Sequence, residues 1–251
     1  MRASLFFNPF DLVERLAVAS QRRRRRRRLI GTPAARLSLG HIDSLELLEM
    51  LRGAPPRVIH DIGANVGTWS CLAKSIFPEA AVEAFEPLEI HREAFRKWTS
   101  PWSDVRLHQV ALGPREGSVD IEVTEFSDAS SVLSLTDAGR KTFNTAAKER
   151  RSVRMETLDG LVARGAVRPP DLIKLDVQGY ELEVLNGAPK ALEGASALIC
   201  EVSFRRYYEG QALFPDVLAF LDSRGFELRA FGPSLGLGEP LSQADALFVK
   251  R

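Results

Sequence analysis

Cysteine is scarce in this chain. Its 251 residues include two, Cys71 and Cys200, without the close pairs that mark a metal knuckle or a redox motif. Both read as small core residues of a protein kept in a reducing compartment, and the expected location is cytoplasmic. No apolar run approaches the roughly 20 residues needed to span a bilayer, so a soluble protein is expected. The four histidines, His41, His60, His91 and His108, show no i, i+4 pairing beside a glutamate, and no metal ligand is assigned. His91 is expected on a surface helix and His60 on a pocket wall. Internal repeats are absent.

Charge is present but unevenly spread. Arg22 to Arg28 are seven consecutive arginines, and removing them from the net charge of +1 leaves −6 for the rest of the chain. A run of like charge is expected to stay solvated and disordered. The apolar residues before it, Leu5, Phe6, Phe7, Phe10, Leu12, Val13 and Leu16, support a second reading, docking on an anionic membrane surface. Nucleic acid is the least favoured partner. A secretory signal places its charge before its apolar part, and this order is the reverse, against export.

With 45% hydrophobic residues the chain can bury a substantial core. Residues 1–40 are expected to form a basic, partly disordered appendage, and 41–251 one α/β domain. Within it, Ile42, Leu45, Leu48 and Leu51 have helical spacing, and Ala54-Pro55-Pro56 ends that helix. Strands are expected at 58–62, 80–85, 105–110, 172–176, 197–202, 226–231 and 246–249. Helices are expected near 67–77, 88–98, 158–164, 180–192 with a break at Pro189, and 217–223. Such alternation builds a mostly parallel sheet with right-handed crossovers. Residues 116–153 break the rhythm, with one strand signal at Val119 to Val123 and a polar stretch from Ser127 to Arg150.

The most informative stretch runs from Ile59 to Gly67, where an apolar run stops at Asp61 and meets Gly63 and Gly67 before a helical pattern. In open α/β sheets ligands bind at the carboxyl ends of strands. Gly63, Ala64, Asn65 and Gly67 are therefore expected to bring main chain close to a nucleoside-containing ligand. A dinucleotide fingerprint needs glycine at positions 65 and 68, which hold Asn65 and Thr68. Glu86, followed by Pro87, ends the next strand and can accept both ribose hydroxyls. That spacing serves dinucleotides and S-adenosylmethionine alike. Farther on, Asp176 closes the strand Leu172 to Asp176, Glu201 closes Ala197 to Val202, and Lys174 needs a carboxylate partner if buried.

The succession Asp61–Gly67, Ala84–Pro87, Val110–Gly113, Ser130-Ser131, Glu156–Asp159, Asp171–Glu181, Val184–Gly187 and Ile199–Glu201 resembles the FkbM family of methyltransferases. The resemblance covers about Arg57 to Ser203, with one notable departure: Gln178 stands where the family usually has glutamate. It implies a Rossmann-like class I methyltransferase fold, a seven-stranded, mostly parallel sheet with the last strand antiparallel. It also implies S-adenosylmethionine as cofactor and O-methylation of a hydroxyl on a sugar, glycolipid or natural product. Asp61, Gly63, Ala64, Asn65, Gly67, Glu86, Pro87, Ser130 and Ser131 are then the cofactor-binding candidates, and Gln109 to Leu112 lie near the adenine. Asp176 is the first candidate for general base and Glu201 the second. An NAD-dependent oxidoreductase and a non-catalytic scaffold docking on membrane remain as alternatives.

Overall fold

In the computed structural model, residues 20–21, 23–232 and 241–251 are described. The apolar cluster between Leu5 and Leu16, and Arg22, lie outside them.

Alternation along the strands decides the layers. Ile59, Leu172 and Ile199 point to one face of the main sheet, while Ile62, Ile173 and Leu198 point to the other, each joining a separate apolar cluster. The sheet has seven strands in the order β3-β2-β1-β7-β8-β10-β9. These are β1 (Val58–Ile62), β2 (Ala81–Phe85), β3 (Val105–His108), β7 (Leu172–Leu175), β8 (Ala197–Ser203), β9 (Phe226–Phe231) and β10 (Gln243–Lys250). Neighbours pair in parallel from β3 through β8, and β10 runs antiparallel to both β8 and β9. The expected Rossmann-like sheet is thus present. Its order reverses between β1 and β7, which opens a crevice at their carboxyl ends.

The irregular middle of the chain proves to be ordered. β4 (Ala111–Leu112), β5 (Gly117–Thr124) and β6 (Ala147–Glu156) form a second, three-stranded sheet, with α5 (Asp137–Phe143) in the connection. No strand was expected at β6. It reads Ala-Lys-Glu-Arg-Arg-Ser-Val-Arg-Met-Glu and is mostly exposed on its ribbon, so it lacks the apolar alternation that marks a strand in sequence. Pro189 splits the expected long helix into α7 (Glu181–Asn186) and α8 (Pro189–Gly194). Cys71 and Cys200 are buried free thiols, as expected.

Correction is also needed at the arginines. Residues 23–28 form a helix, α1, rather than an unpacked run. Only 7% of the Arg25 side chain is exposed, and it donates to Glu46 at 2.8 Å and Asp43 at 3.0 Å. Arg28 pairs with Glu46 and Glu49, whereas Arg23, Arg24, Arg26 and Arg27 are exposed. Glu46 and Glu49 belong to α2 (Leu45–Met50), so acids of one helix neutralise one face of the other. Leu29, Ala34 and Leu37 continue into the core beside Leu45 and Leu48. Among the described residues, no helix is long and apolar enough to cross a membrane.

Candidate active site

The crevice between β1 and β7 opens into a cavity of about 420 Å³, within the usual range of small-molecule sites. Its walls include Gly63, Ala64, Asn65, Glu86, Pro87, Ser130, Ser131, Asp176 and Glu201, so nine of the eleven expected site residues meet there. Val110, Ala111 and Leu112 line it as well. Asp61 and Gly67 stand behind the wall. The Asp61 carboxylate accepts from the Ser70 hydroxyl and is buried, which pushes its pKa up to about 6. Gly67 turns the chain with φ 82° into α3 (Thr68–Ile76), and a Cβ there would lie 2.7 Å from the Phe95 ring. It is a packing glycine.

Gly63 has a different reason. Its φ is 84°, and an added Cβ would sit 1.8 Å from the carbonyl oxygen of Asp176. The neighbour that demands glycine is therefore the end of β7, not a ligand. Main chain from Gly63 and Ala64 donates to the Phe85 carbonyl, both at 3.0 Å, while Asp176 N–H donates to the Ile62 carbonyl at 3.0 Å. Three strand ends are thereby fixed against each other.

One end of the cavity centres on Glu86. The Asn65 N–H donates to its Oε2 at 3.0 Å and the Leu88 N–H to its Oε1 at 2.8 Å, so the carboxylate cannot rotate away. Asn65 takes φ 44° to present that amide. His91, expected on the surface, is buried and lines the cavity beside Glu86. Among the described residues, seven buried side-chain nitrogen and oxygen atoms lack a hydrogen-bond partner, and four of them belong to Asn65, Trp69 and His91. All three residues line this cavity. Buried polar groups ordinarily find partners, so this concentration marks a surface shaped for a polar ligand.

The opposite end is built from β7, β8 and β10. Lys174 Nζ lies 3.2 Å from both Asp176 Oδ2 and Asp245 Oδ1. Burial works against its charge, but Asp176, Asp245 and Glu201 outweigh it and hold its pKa above the ordinary value. Gln178 donates from one Nε2 to Asp176 Oδ1 at 2.7 Å and Glu201 Oε2 at 3.2 Å, and accepts from the Tyr208 hydroxyl at 2.9 Å. Gln178 therefore bridges both candidate bases. Burial, reinforced by Asp176 and Glu181, pushes the Glu201 carboxyl well above the usual carboxylate range. That shift favours its protonated form and makes it the weaker candidate for accepting a proton. Asp176, 36% exposed at its side chain and paired with Lys174, is the better-placed carboxylate for that role.

The serines meet the cavity, but their hydroxyls are engaged. Ser131 donates to the Gln178 carbonyl at 2.7 Å, and Ser130 accepts from Thr124 N–H at 3.1 Å. His60 is not a wall residue. It is fully buried, its Nε2 contacts the Arg168 carbonyl at 2.7 Å, and burial lowers its pKa to about 4. Sequence reasoning missed Asp245 and Ser44, which donates to it. Asp245 sits opposite Glu201 because β10 is antiparallel and brings its amino end to the edge where the parallel strands end. Asp43 and Ser44 line the cavity, so the segment that Arg25 grips forms part of its wall.

The family model for the methyltransferase FkbM domain matches residues 61–228. The 2-O-methyltransferase NoeI of Sinorhizobium fredii is 29% identical over 85% of this chain and 88% of its own length. The hexuronic acid methyltransferase AglP of Haloferax volcanii is 29% identical over 58% of this chain and 55% of its own. Methyltransferase sdnD of Sordaria araneosa is 27% identical over 68% of this chain and 73% of its own.

Proposed function

The chain belongs to the methyltransferase FkbM domain family, and from that premise we propose that it moves a methyl group from S-adenosylmethionine to a hydroxyl of a sugar or sugar-bearing acceptor. The observation that carries the cofactor is Glu86, pinned by two backbone amides at the edge of a cavity rich in unpaired polar atoms. Both carboxylate oxygens keep a lone pair for the vicinal hydroxyls of a ribose. Ala64, Pro87 and Val110 to Leu112 give the apolar lining a nucleoside base needs. Bound S-adenosylmethionine supplies a methyl group on a sulfonium cation. Asp176 then accepts the acceptor's hydroxyl proton, held in place by Lys174 and Gln178. A positioned base contributes about 10²- to 10⁴-fold to such a step.

A sugar acceptor is supported by two things. One similar protein is a 2-O-methyltransferase and another a hexuronic acid methyltransferase. The far wall also offers Ser44, Gln178, Asp245 and Glu201, alternating donors and acceptors that suit a polyol. The test is calorimetry with S-adenosylhomocysteine, followed by transfer of labelled methyl to methyl glycosides of neutral hexoses and of hexuronic acids. Glu86→Ala should weaken cofactor binding by about 1.5–3 kcal/mol, the scale of hydrogen bonds to a charged group. A folded wild-type protein that binds neither S-adenosylmethionine nor S-adenosylhomocysteine would overturn the reading.

A further inference from the structure

Glu86 can accept two hydroxyl protons but can donate nothing, and a vicinal diol also carries oxygen lone pairs that seek donors. The donor nearest to Glu86 without a use is His91. It closes the turn Glu89–His91, leads into α4 (Arg92–Thr99), and is 6% exposed. Its Nδ1 lies 3.3 Å from Glu86 Oε1 but out of hydrogen-bond alignment, and neither ring nitrogen has a partner among the described residues. Glu86 Oε1 already accepts from Leu88 N–H. A buried imidazole without partners is costly to fold, and this one lines the cavity one side chain away from the carboxylate expected to meet a ribose.

We propose that His91 is a second ribose-binding residue, which donates a ring N–H to one hydroxyl oxygen of the cofactor while Glu86 accepts the hydroxyl protons. This rests on the S-adenosylmethionine reading above. A ring N–H aimed at a hydroxyl oxygen leaves that hydroxyl's proton free for Glu86, so a hydroxyl between His91 and Glu86 both receives and gives a hydrogen bond. The pair then distinguishes a ribose from a deoxyribose at one position, since a ligand without that hydroxyl leaves both buried groups unpaired.

The test is calorimetry of S-adenosylhomocysteine and of its 2′-deoxy and 3′-deoxy analogues with wild type, His91→Ala and His91→Gln. Wild type should bind the analogue lacking the bridged hydroxyl about 10-fold more weakly than S-adenosylhomocysteine, the size of one hydrogen bond. In His91→Ala that penalty should fall to about 2-fold or less while the penalty for the other hydroxyl persists, and His91→Gln, which keeps an N–H, should restore part of it. Thermal midpoints without ligand should stay close to wild type. Unchanged penalties for both analogues in His91→Ala, or no penalty in wild type, overturn the proposal. Failure of wild type to bind S-adenosylhomocysteine itself strikes the cofactor reading instead.

Discussion

The two ends of the cavity solve opposite problems with the same kinds of residue. Around Glu86 the carboxylate is fixed by main chain, and the side chains beside it, Asn65 and His91, carry unpaired polar atoms. Around Asp176 every polar group is bound to another: Lys174 to two aspartates, Gln178 to Asp176, Glu201 and Tyr208, Ser44 to Asp245. The first end is built to receive hydrogen bonds it does not yet have. The second is already satisfied, so an acceptor must exchange bonds there rather than add them. In the ligand-free protein, substitutions should therefore affect stability independently at the first end and be strongly coupled at the second.

Gly63 is where the comparison breaks most completely, because it joins both ends. Gly63→Val adds a branched side chain at positive φ into the Asp176 carbonyl, and a loss of about 4 kcal/mol or more is expected. Soluble yield and thermal midpoint would show it. Retained stability with loss of cofactor binding alone would mean that the two ends are separate.

Beneath the crevice, His60 and Asp61 are neighbours on β1 with opposed titrations. His60 is lowered to about 4 by burial, so its contribution is present above 6.5 and is lost as pH falls through 4. Asp61 is raised to about 6 by burial, so its contribution is present below 3.8 and is lost as pH rises through 6. Between pH 6.5 and 4 the two nearly cancel. His60→Gln should therefore make the protein gain stability on acidification over this window, and Asp61→Asn should make it lose stability, each by up to about 3 kcal/mol. Denaturant unfolding at pH 7 and pH 4.5 checks the sign.

Asp176→Asn should sharpen the comparison, sparing S-adenosylhomocysteine affinity while lowering turnover by about 10²-fold or more. Single-turnover transfer and calorimetry together separate the two effects. The smallest effect is expected at Glu201. Burial and the neighbouring acids favour its protonated form, so Glu201→Gln should change turnover at pH 7 by less than about 3-fold. A loss equal to that of Asp176→Asn would make Glu201 the base.

The parallel strands and the acids at their ends were legible because a buried strand in a parallel sheet must be apolar and its carboxyl end opens to ligand. Asp61 and Gly67 were legible as a motif but not in their roles, since a motif does not say which neighbour a side chain meets. Asp245 was invisible for a topological reason: it lies at the beginning of an antiparallel strand, where a rule about strand ends does not look. His91 was hidden by its polar setting: it is buried in the short turn Glu89–His91 between the exposed Glu89 and Ile90 and the polar start of α4. Charge misled at β6 and α1, where arginines oppose acids that only the fold brings near, Glu122 beside Arg150 and Glu46 beside Arg25.

A stretch of identical residues carries no address. If α1 turned or slid by one position, another arginine would arrive beside Asp43 and Glu46 with the same chemistry, so the guanidinium pairs alone do not define which arginine is held. Leu29 does. Buried to 1% exposure directly after the run, it sets the phase of the helix, and Arg25 falls one helical turn before it. The specificity of the most highly charged segment of this protein thus resides in an uncharged residue.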